Sequence, residues 1–344
     1  TVMAAMLLVL FLLLGLDVVF SFIAELEDLA TNYRAPQALM YVLLTAPRRA
    51  YDLLPIAALV GGMAGLGMLA SHSELTVMRA AGVSIKRIVW WVLKPSLVLV
   101  AVGLLLSQYV VPHSEKLAET QRATALGKAV KTDSFRYYWH REGTAIMRVG
   151  TVEAAGVLRN LVFFRFGAAG QLQAGVSARE AHFDGKAWEL RGLSETQLNS
   201  DGSSTVHQHD REAWDSHLSP EYLRLVTFNP EYLSLSSLNE YAGYLKQQGL
   251  DAEVYFLEFW KKALAPLATI SMVLIACSFI FGPLRSVTMG LRILTGVLAG
   301  LLFRYGQDFL GYASLVYDFS PLLAASVPIG LCLLVGGVAI ARVK

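Results

Sequence analysis

The sequence predicts a membrane protein with six transmembrane helices, three before and three after an inserted all-β domain of jellyroll-like type. Hydrophobic residues make up 55% of the 344 residues and charged residues only 16%, a balance too apolar for an ordinary soluble domain. Six stretches also reach the length of about 20 mostly apolar residues that a spanning helix needs. They lie at 2–23, 53–70, 88–111, 263–282, 290–311 and 321–341.

These stretches divide the chain into three parts. Residues 1–112 hold the first three helices, residues 113–255 form the inserted domain, and residues 256–344 hold the last three. The first stretch begins almost at the first residue, a threonine, so we expect that a short segment before it has been lost. The inserted domain contains 18 of the 27 acidic residues and 15 of the 29 basic ones. This acidic balance argues against a nucleic-acid partner, because phosphate binding requires a basic face.

The residue pattern changes within the inserted domain. After a helical continuation of the third span, β-rich runs such as FRYYWH, LRNLVFFRF and KAWELRGLSETQL alternate with turn sequences such as NSDG. Several short strands in series predict a β-sandwich or jellyroll. The pattern then becomes helical again, where Ser237 and Glu240 have the spacing of a capping box. Trp260, Lys261 and Lys262 are typical of an anchor at the membrane interface.

Basic residues in the short loops predict the orientation. Loop 71–87 carries three of them, and loop 283–292 and the C-terminus carry more. The positive-inside rule puts these segments on the cytoplasmic side. With six spans the N-terminus is then inside as well, and the inserted domain is outside.

The sequence contains no catalytic or nucleotide-binding motif of the GxxxxGK[ST], HExxH, GxSxG or CxxC type. GGMAGLG at 61–67 lies inside a span, where small residues allow close helix packing. His207 and His209 share one face of a strand, but no second ligand cluster accompanies them, so solvated histidines are favoured over a metal site. Cys277 and Cys332 lie in spans and are predicted to be small buried residues.

Some ionisable residues lie inside the spans, where a charge is costly and is either paired or functional. They include Asp17 in the first span, and Arg304 and Asp308 in the fifth. The last two are four residues apart, so they either neutralise each other or leave Arg304 to bind an anionic group, which its planar fork suits. Four further residues are predicted near the outer surface, as ordinary interface charges or as a phosphate-binding rim: Arg34, Arg48, Arg49 and Arg122.

A short amphipathic helix is predicted between the second and third spans, in SHSELTVMRAAG at 71–82. Ser71 and Glu74 have the spacing of a capping box, Leu75 and Met78 follow at helical spacing, and Gly82 is suited to end the helix. A structural hairpin has similar features, so these residues alone favour a plain turn over a helix that couples to a partner.

The whole arrangement resembles the lipopolysaccharide export permeases of Gram-negative bacteria, the LptF/LptG family. The motifs that carry the resemblance are SELTVMRAAG (73–82) after the second span and CSFIFGPLRSVTMGLRILTG (277–296) after the fourth. RSVTMG and GLGMLASHSEL are more similar to the G-type subunit than to the F-type. The resemblance covers essentially the whole chain. It implies an ABC transporter permease subunit of the bacterial inner membrane, with a jellyroll in the periplasm.

The resemblance also implies a mechanism and partners. Lipopolysaccharide would enter from the outer leaflet between spans one and five of opposing subunits, and pass through the β-domains to a periplasmic bridge protein. The partners would be an F-type permease subunit, a single-span LptC-type subunit and a dimeric cytoplasmic LptB-type ATPase. That ATPase would use the ATP and Mg²⁺, and this chain would bind no cofactor.

Site residues carried over from the family fall into two groups. Where some relatives carry paired lysines after the first span, this chain has Glu27 and Asp28, which shifts phosphate binding there to Arg34 or to the partner subunit. The ATPase would contact the coupling helix through Ser73, Glu74, Leu75, Val77, Met78, Arg79 and Gly82, and the phosphates of lipid A would meet Arg34, Arg48, Arg49, Arg122 and Arg304.

Two alternatives belong to other classes of function. One is a non-transporting envelope scaffold or sensor whose β-domain binds a protein partner. The other is a membrane enzyme that acts on lipid. A cytoplasmic coupling helix argues against the scaffold, and the missing catalytic constellation argues against the enzyme.

Overall fold

The computed structural model describes residues 1–29, 33–126, 138–142, 144–152, 157–167, 170–184, 187–198, 203–214, 216, 229–247, 251–282 and 287–342. The chain divides into two compact units. The helical unit comprises Thr1–Leu29, Arg34–Ala118 and Pro230–Lys344, and the β-unit comprises Ala30–Tyr33 and Glu119–Asn229.

Most predicted apolar stretches form long helices, in which every backbone group bonds within its own segment, as an apolar environment requires. One turn of π-helix (Leu106–Val110) joins the fourth helix to the fifth. The helices are α1 (Val2–Glu25), α2 (Ala35–Ser71), α3 (Glu74–Ala80), α4 (Ile85–Leu105), α5 (Val111–Ala125), α6 (Leu235–Gln247), α7 (Glu253–Phe281), α8 (Met289–Tyr317) and α9 (Pro321–Arg342).

Among the described residues, 5 helical segments are long and apolar enough to cross a membrane. They contain α1, α2, α4 with α5, α7 and α9. The predicted fifth span corresponds to α8, which has 29 residues but falls outside this group, since Arg292, Arg304 and Asp308 interrupt its apolar character. The count of six spans is therefore not confirmed. Part of the predicted basic loop 283–292 lies outside the described residues.

Close packing of α1 on α2 depends on glycine. A Cβ atom added at Gly65 would lie 2.8 Å from the Cα of Val2, and one added at Gly61 would overlap the backbone of Met6. The interpretation of GGMAGLG as a helix-packing motif is thereby confirmed. Cys277 is fully buried in the same apolar core, as predicted, whereas Cys332 is only half-buried.

In the described residues of the β-unit, seven strands form one antiparallel sheet. The predicted runs LRNLVFFRF and KAWELRGLSETQL supply its long fourth and sixth strands, while residues 135–137 of FRYYWH lie outside the described residues. The order in the sheet is β1-β2-β4-β5-β6-β7, and β3 pairs with β4. The strands are β1 (Tyr138–Glu142), β2 (Ala145–Val149), β3 (Thr151–Val152), β4 (Val157–Phe166), β5 (Leu172–Phe183), β6 (Trp188–Leu198) and β7 (Ser204–Trp214).

The inner face of this sheet is apolar and aromatic. The ring of Trp188 lies 5.1 Å from that of Phe183 and 6.0 Å from that of Trp214, and alternate residues of β5 such as Val176 and Ala178 are buried. Alternation of this kind is typical of a sheet with one covered face. Most neighbouring strands follow each other in the chain, as in a meander, so the described residues do not confirm a jellyroll.

Helix α6 begins one turn before the predicted capping box. The backbone N–H of Ser237 donates to the hydroxyl of Ser234 at 3.1 Å, so Ser234 is the N-cap and Ser237 lies inside the helix. The box assigned to Ser237 and Glu240 is therefore wrong. Three serines at positions 234, 236 and 237 can each start a helix, and the pattern alone does not decide among them.

Candidate functional site

Helix α3 lies in SHSELTVMRAAG, where the short helix is predicted, but it begins differently. Ser73 is the N-cap, with a left-handed backbone at φ 60° and no side-chain capping bond. Ser71 still belongs to α2, and its hydroxyl donates to the carbonyl of Met68 at 2.9 Å. The ring of His72 donates to the same carbonyl. The predicted capping box of Ser71 and Glu74 is therefore wrong, because the hydroxyl of Ser71 bonds back to α2 and does not cap α3.

Gly82 ends α3 as predicted. Its N–H donates to the carbonyl of Arg79 at 3.0 Å, and the N–H of Val83 donates to that of Met78 at 3.0 Å. This pair of bonds is a Schellman motif. The φ of Gly82 is +85°, in the left-handed region that favours glycine.

The two faces of α3 have different environments. Leu75 is only 6% exposed and packs into the apolar core of the helical unit, with Met78 beside it. Val77 is 65% exposed, and the carboxylate of Glu74 is exposed at the N-terminal end, where the helix dipole favours an acidic group. The helix is thus fixed by its apolar face and leaves Glu74 and Val77 accessible to another protein.

Arg48 and Arg49 lie next to each other on α2 and form separate ion pairs. Arg48 Nε lies 2.8 Å from Glu115 of α5, whose side chain is fully buried, and Arg48 Nη1 lies 3.4 Å from Asp52. Arg49 Nη1 lies 2.9 Å from Asp17 of α1 and also contacts the hydroxyl of Ser21. Asp17, Asp52 and Glu115 thus each have an arginine partner, as expected where an unpaired charge in an apolar environment is costly.

Arg304 and Asp308 do not form the pair that their spacing allows. Asp308 lies 3.6 Å from the ammonium of Lys261 on α7, which also pairs with Glu258 at 3.1 Å. Arg304 donates to the backbone carbonyl of Asp52 at 3.5 Å. Of the two interpretations, mutual neutralisation is therefore wrong, and the guanidinium of Arg304 faces a cavity.

This cavity has a volume of about 260 Å³ and lies within the helical unit, between α2, α4, α7 and α8. Its lining combines apolar residues such as Leu54 and Val100 with eight charged ones. The charged residues are Arg48, Asp52, Glu231, Glu258, Lys261, Lys262, Arg304 and Asp308. Equal numbers of acidic and basic groups make the cavity polar without a large net charge.

Lys262 has a structural environment that the sequence does not predict. It is 7% exposed, and its ammonium donates to the carbonyls of Glu231 at 2.7 Å and Leu233 at 2.6 Å. Its position beside Trp260 at the start of a span predicts an anchor at the membrane interface. A buried lysine that binds two backbone carbonyls fixes the chain that returns from the β-unit.

The remaining candidate arginines lie in different parts of the fold. Arg34 is exposed just before α2, where its N–H donates to the side chain of Gln37 at 3.2 Å. Arg122 is half-buried on the part of α5 that belongs to the β-unit. A role of these residues in phosphate binding stays a prediction.

Metal binding has no support in the part of the chain that the structure describes. No group of three or more His, Cys, Asp or Glu side chains there could hold a metal ion. His207 and His209 are exposed on β7, which agrees with solvated strand histidines.

Comparisons with known proteins bear on the whole chain. A family model described as "Lipopolysaccharide export system permease LptF/LptG" matches residues 1–342. The chain belongs to the LptF/LptG family. It is 34% identical over 331 residues to the permease protein LptG of Escherichia coli (strain K12), covering 95% of this chain and 92% of that protein. With LptG of Haemophilus influenzae the identity is 32% over 331 residues, with the same coverage.

Membership of the LptF/LptG family confirms the resemblance predicted from the motifs after the second and fourth spans. Both relatives carry the G-type name, as RSVTMG and GLGMLASHSEL predict. The match extends through the helical unit and the β-unit alike, so the two units belong to one family architecture.

Proposed function

We propose that this chain is the G-type permease subunit of an ABC transporter that extracts lipopolysaccharide from the outer leaflet of the inner membrane. The observation that carries the proposal is the family match over residues 1–342. The lipid would leave the membrane through the β-domain toward a periplasmic bridge protein. The chain would hydrolyse no ATP and bind no cofactor of its own.

The energy for this step has to come from another protein. Transfer of each CH₂ group from an apolar environment to water costs about 0.8 kcal/mol, so a lipid with several acyl chains needs both a sheltered path and a motor. A dimeric cytoplasmic ATPase would supply the work through α3, whose exposed Glu74 and Val77 suit a protein contact. An F-type permease and an LptC-type single-span subunit would complete the complex.

The proposal requires α8 to cross the membrane as the fifth of six spans, with the 113–255 domain in the periplasm. The apolar surface of α8 supports this: Leu302, Phe309 and Val316 are each more than two-thirds exposed, and such residues are suited to lipid or to a partner helix. Arg304 and Asp308 of α8 would then face the cavity. An aromatic, jellyroll-like interior of the β-domain would shelter the acyl chains.

Arg304 is the strongest of the phosphate-binding candidates. Its guanidinium lies at the cavity, and Asp308 on the same helix pairs with Lys261 instead. Planar guanidinium groups bind phosphate through two parallel hydrogen bonds. We infer that Arg304 meets a lipid A phosphate during extraction.

The substitution Arg304→Gln tests this role. We expect a loss of about tenfold or more in lipopolysaccharide binding, because hydrogen bonds to charged groups contribute about 1.5–3 kcal/mol. Arg304→Lys should recover only part of the loss, since an ammonium lacks the planar fork. Binding of labelled lipopolysaccharide to the purified complex measures both. Normal binding by Arg304→Gln would refute the assignment. A loss of stability in Arg304→Gln that Asp308→Asn fully restores would also refute it, because it would indicate an ion pair between the two residues.

Purification of the chain from its native membrane tests the proposed function as a whole. We expect an ATPase dimer, an F-type permease and lipopolysaccharide to be recovered with it. Recovery of a signalling or envelope protein, with no ATPase and no lipopolysaccharide, would instead indicate a scaffold or sensor.

A further inference from the structure

Arg48 contacts both connections of the helical unit to the Glu119–Asn229 part of the β-unit. The outgoing connection is α5, whose Glu115 pairs with Arg48 Nε at 2.8 Å. The returning connection begins with a 3₁₀ turn (Pro230–Tyr232), and the guanidinium of Arg48 lies 5.4 Å from the ring centre of Tyr232. Both contacts lie within the helical unit. One side chain of α2 thus contacts the chain just before it enters the β-unit and just after it leaves.

The returning connection is also held at two other places. Lys262 of α7 donates to the carbonyls of Glu231 and Leu233. The side chain of Gln108, in the π-helical turn after α4, donates to the hydroxyl of Ser236 at 2.8 Å. Among the described residues, the returning connection is therefore attached to α2, to α7 and to the π-helical turn that leads into α5.

Helix α2 (Ala35–Ser71) runs from this junction to the coupling helix and contains Pro47 and Pro55. At about 1.5 Å per residue, α2 covers about 35 Å between Arg48 and Ser71. Arg48 lies in its first half, and α3 follows its last residue after a two-residue turn. A displacement of α3 therefore reaches Arg48 through one continuous helix.

We propose that Arg48, Glu115 and Tyr232 form a tie that passes movement of α2 to both connections of the β-domain. This inference rests on the proposed function, because it explains how the ATPase would act on the periplasmic side. It also assigns Arg48 a positioning role in place of the phosphate-binding role predicted from the sequence. Two carboxylates and an aromatic ring already surround its guanidinium.

Glu115→Leu separates the two roles of Arg48. If Arg48 binds phosphate, removal of its carboxylate partner frees the guanidinium, and delivery of lipopolysaccharide stays normal or increases. If the three residues form a tie, Glu115→Leu breaks it as Arg48→Met does. The test uses the complete complex in vesicles that contain lipopolysaccharide, and measures the lipid delivered to the bridge protein per ATP hydrolysed. We expect a decrease of about tenfold for each single variant.

The double variant Arg48→Met with Glu115→Leu distinguishes a tie from a purely structural pair. Each single variant removes one member of the Arg48–Glu115 ion pair and is expected to lower the melting temperature. The double variant replaces the pair by apolar side chains, which often restores stability. We expect its melting temperature to recover while delivery per ATP stays about tenfold low. Recovery of delivery together with stability would overturn the tie.

Matched controls complete the test. Glu240→Leu removes an exposed carboxylate from α6 and should leave delivery unchanged. Tyr232→Phe keeps the aromatic ring and should behave like the wild type, whereas Tyr232→Leu should decrease delivery per ATP. Normal delivery by Glu115→Leu would overturn the tie alone. Absence of ATP-dependent delivery by the wild type would overturn the proposed function, and the tie with it.

Discussion

Glu74→Lys is expected to abolish coupling to the ATPase while the chain still inserts and folds. Glu74 is exposed at the first position of α3, so its carboxylate is available to a basic group on a partner. Loss of one member of a charge pair in an interface costs about 2–5 kcal/mol, and Lys adds repulsion. We expect export to fall at least thirtyfold, measured together with the amount of ATPase that is recovered with the permease.

The control for this prediction separates the partner contact from the stability of α3. A lysine at a helix N-terminus also opposes the helix dipole, at a cost of about 0.3–1 kcal/mol. Glu74→Gln removes the negative charge without placing a positive charge at the helix N-terminus. It should still decrease the amount of ATPase that is recovered with the permease. Glu240→Lys makes the same charge change on α6 and should have no effect. Normal recovery of the ATPase with Glu74→Lys would show that α3 is only a structural turn.

Gly61→Leu is expected to destabilise the helical unit strongly. A side chain at Gly61 would overlap the backbone of Met6, and backbone atoms cannot move aside as a flexible side chain can. Overpacking of a core costs about 1–3 kcal/mol, and we expect the upper end of that range or more. The melting temperature of the purified complex should fall by several degrees, and α1 should separate from α2.

Gly337→Leu provides the matched control on another membrane helix. Gly337 lies on α9, and an added Cβ there meets no heavy atom within 4 Å. The same change in size and hydrophobicity should therefore leave the melting temperature unchanged. Equal destabilisation by both variants would mean that the glycines do not mark the contact between α1 and α2.

Local patterns predicted those features that depend on neighbouring residues. Apolar stretches of spanning length correspond to the long helices, and GGMAGLG corresponds to the close contact of α2 with α1. Gly82 ends α3 as its sequence predicts, because the left-handed position after a helix favours glycine. The predicted start of α3 is wrong. The hydroxyl of Ser71 can bond either forward to α3 or back to α2, and it donates to the carbonyl of Met68 in α2.

Pairing between distant residues could not be predicted. Arg48 and Glu115 are 67 positions apart and Arg49 and Asp17 are 32 apart, so which of them meet depends on how the helices pack. Lys262 has the sequence context of an interface anchor, and only the packed fold shows that it binds two carbonyls. Arg304 and Asp308 are four residues apart, which allows an ion pair, but the carboxylate of Asp308 pairs with Lys261.

Photo-crosslinking of lipopolysaccharide in the reconstituted complex tests the central claim most directly. Photoreactive residues would replace Phe11 on α1, Leu302 on α8, Phe163 inside the β-unit and, as a control, the exposed Val206 of β7. A permease that extracts lipopolysaccharide should give crosslinks at Phe11 and Leu302 without ATP, and at Phe163 only with ATP. Crosslinks confined to Val206, or absent with and without ATP, would contradict the account.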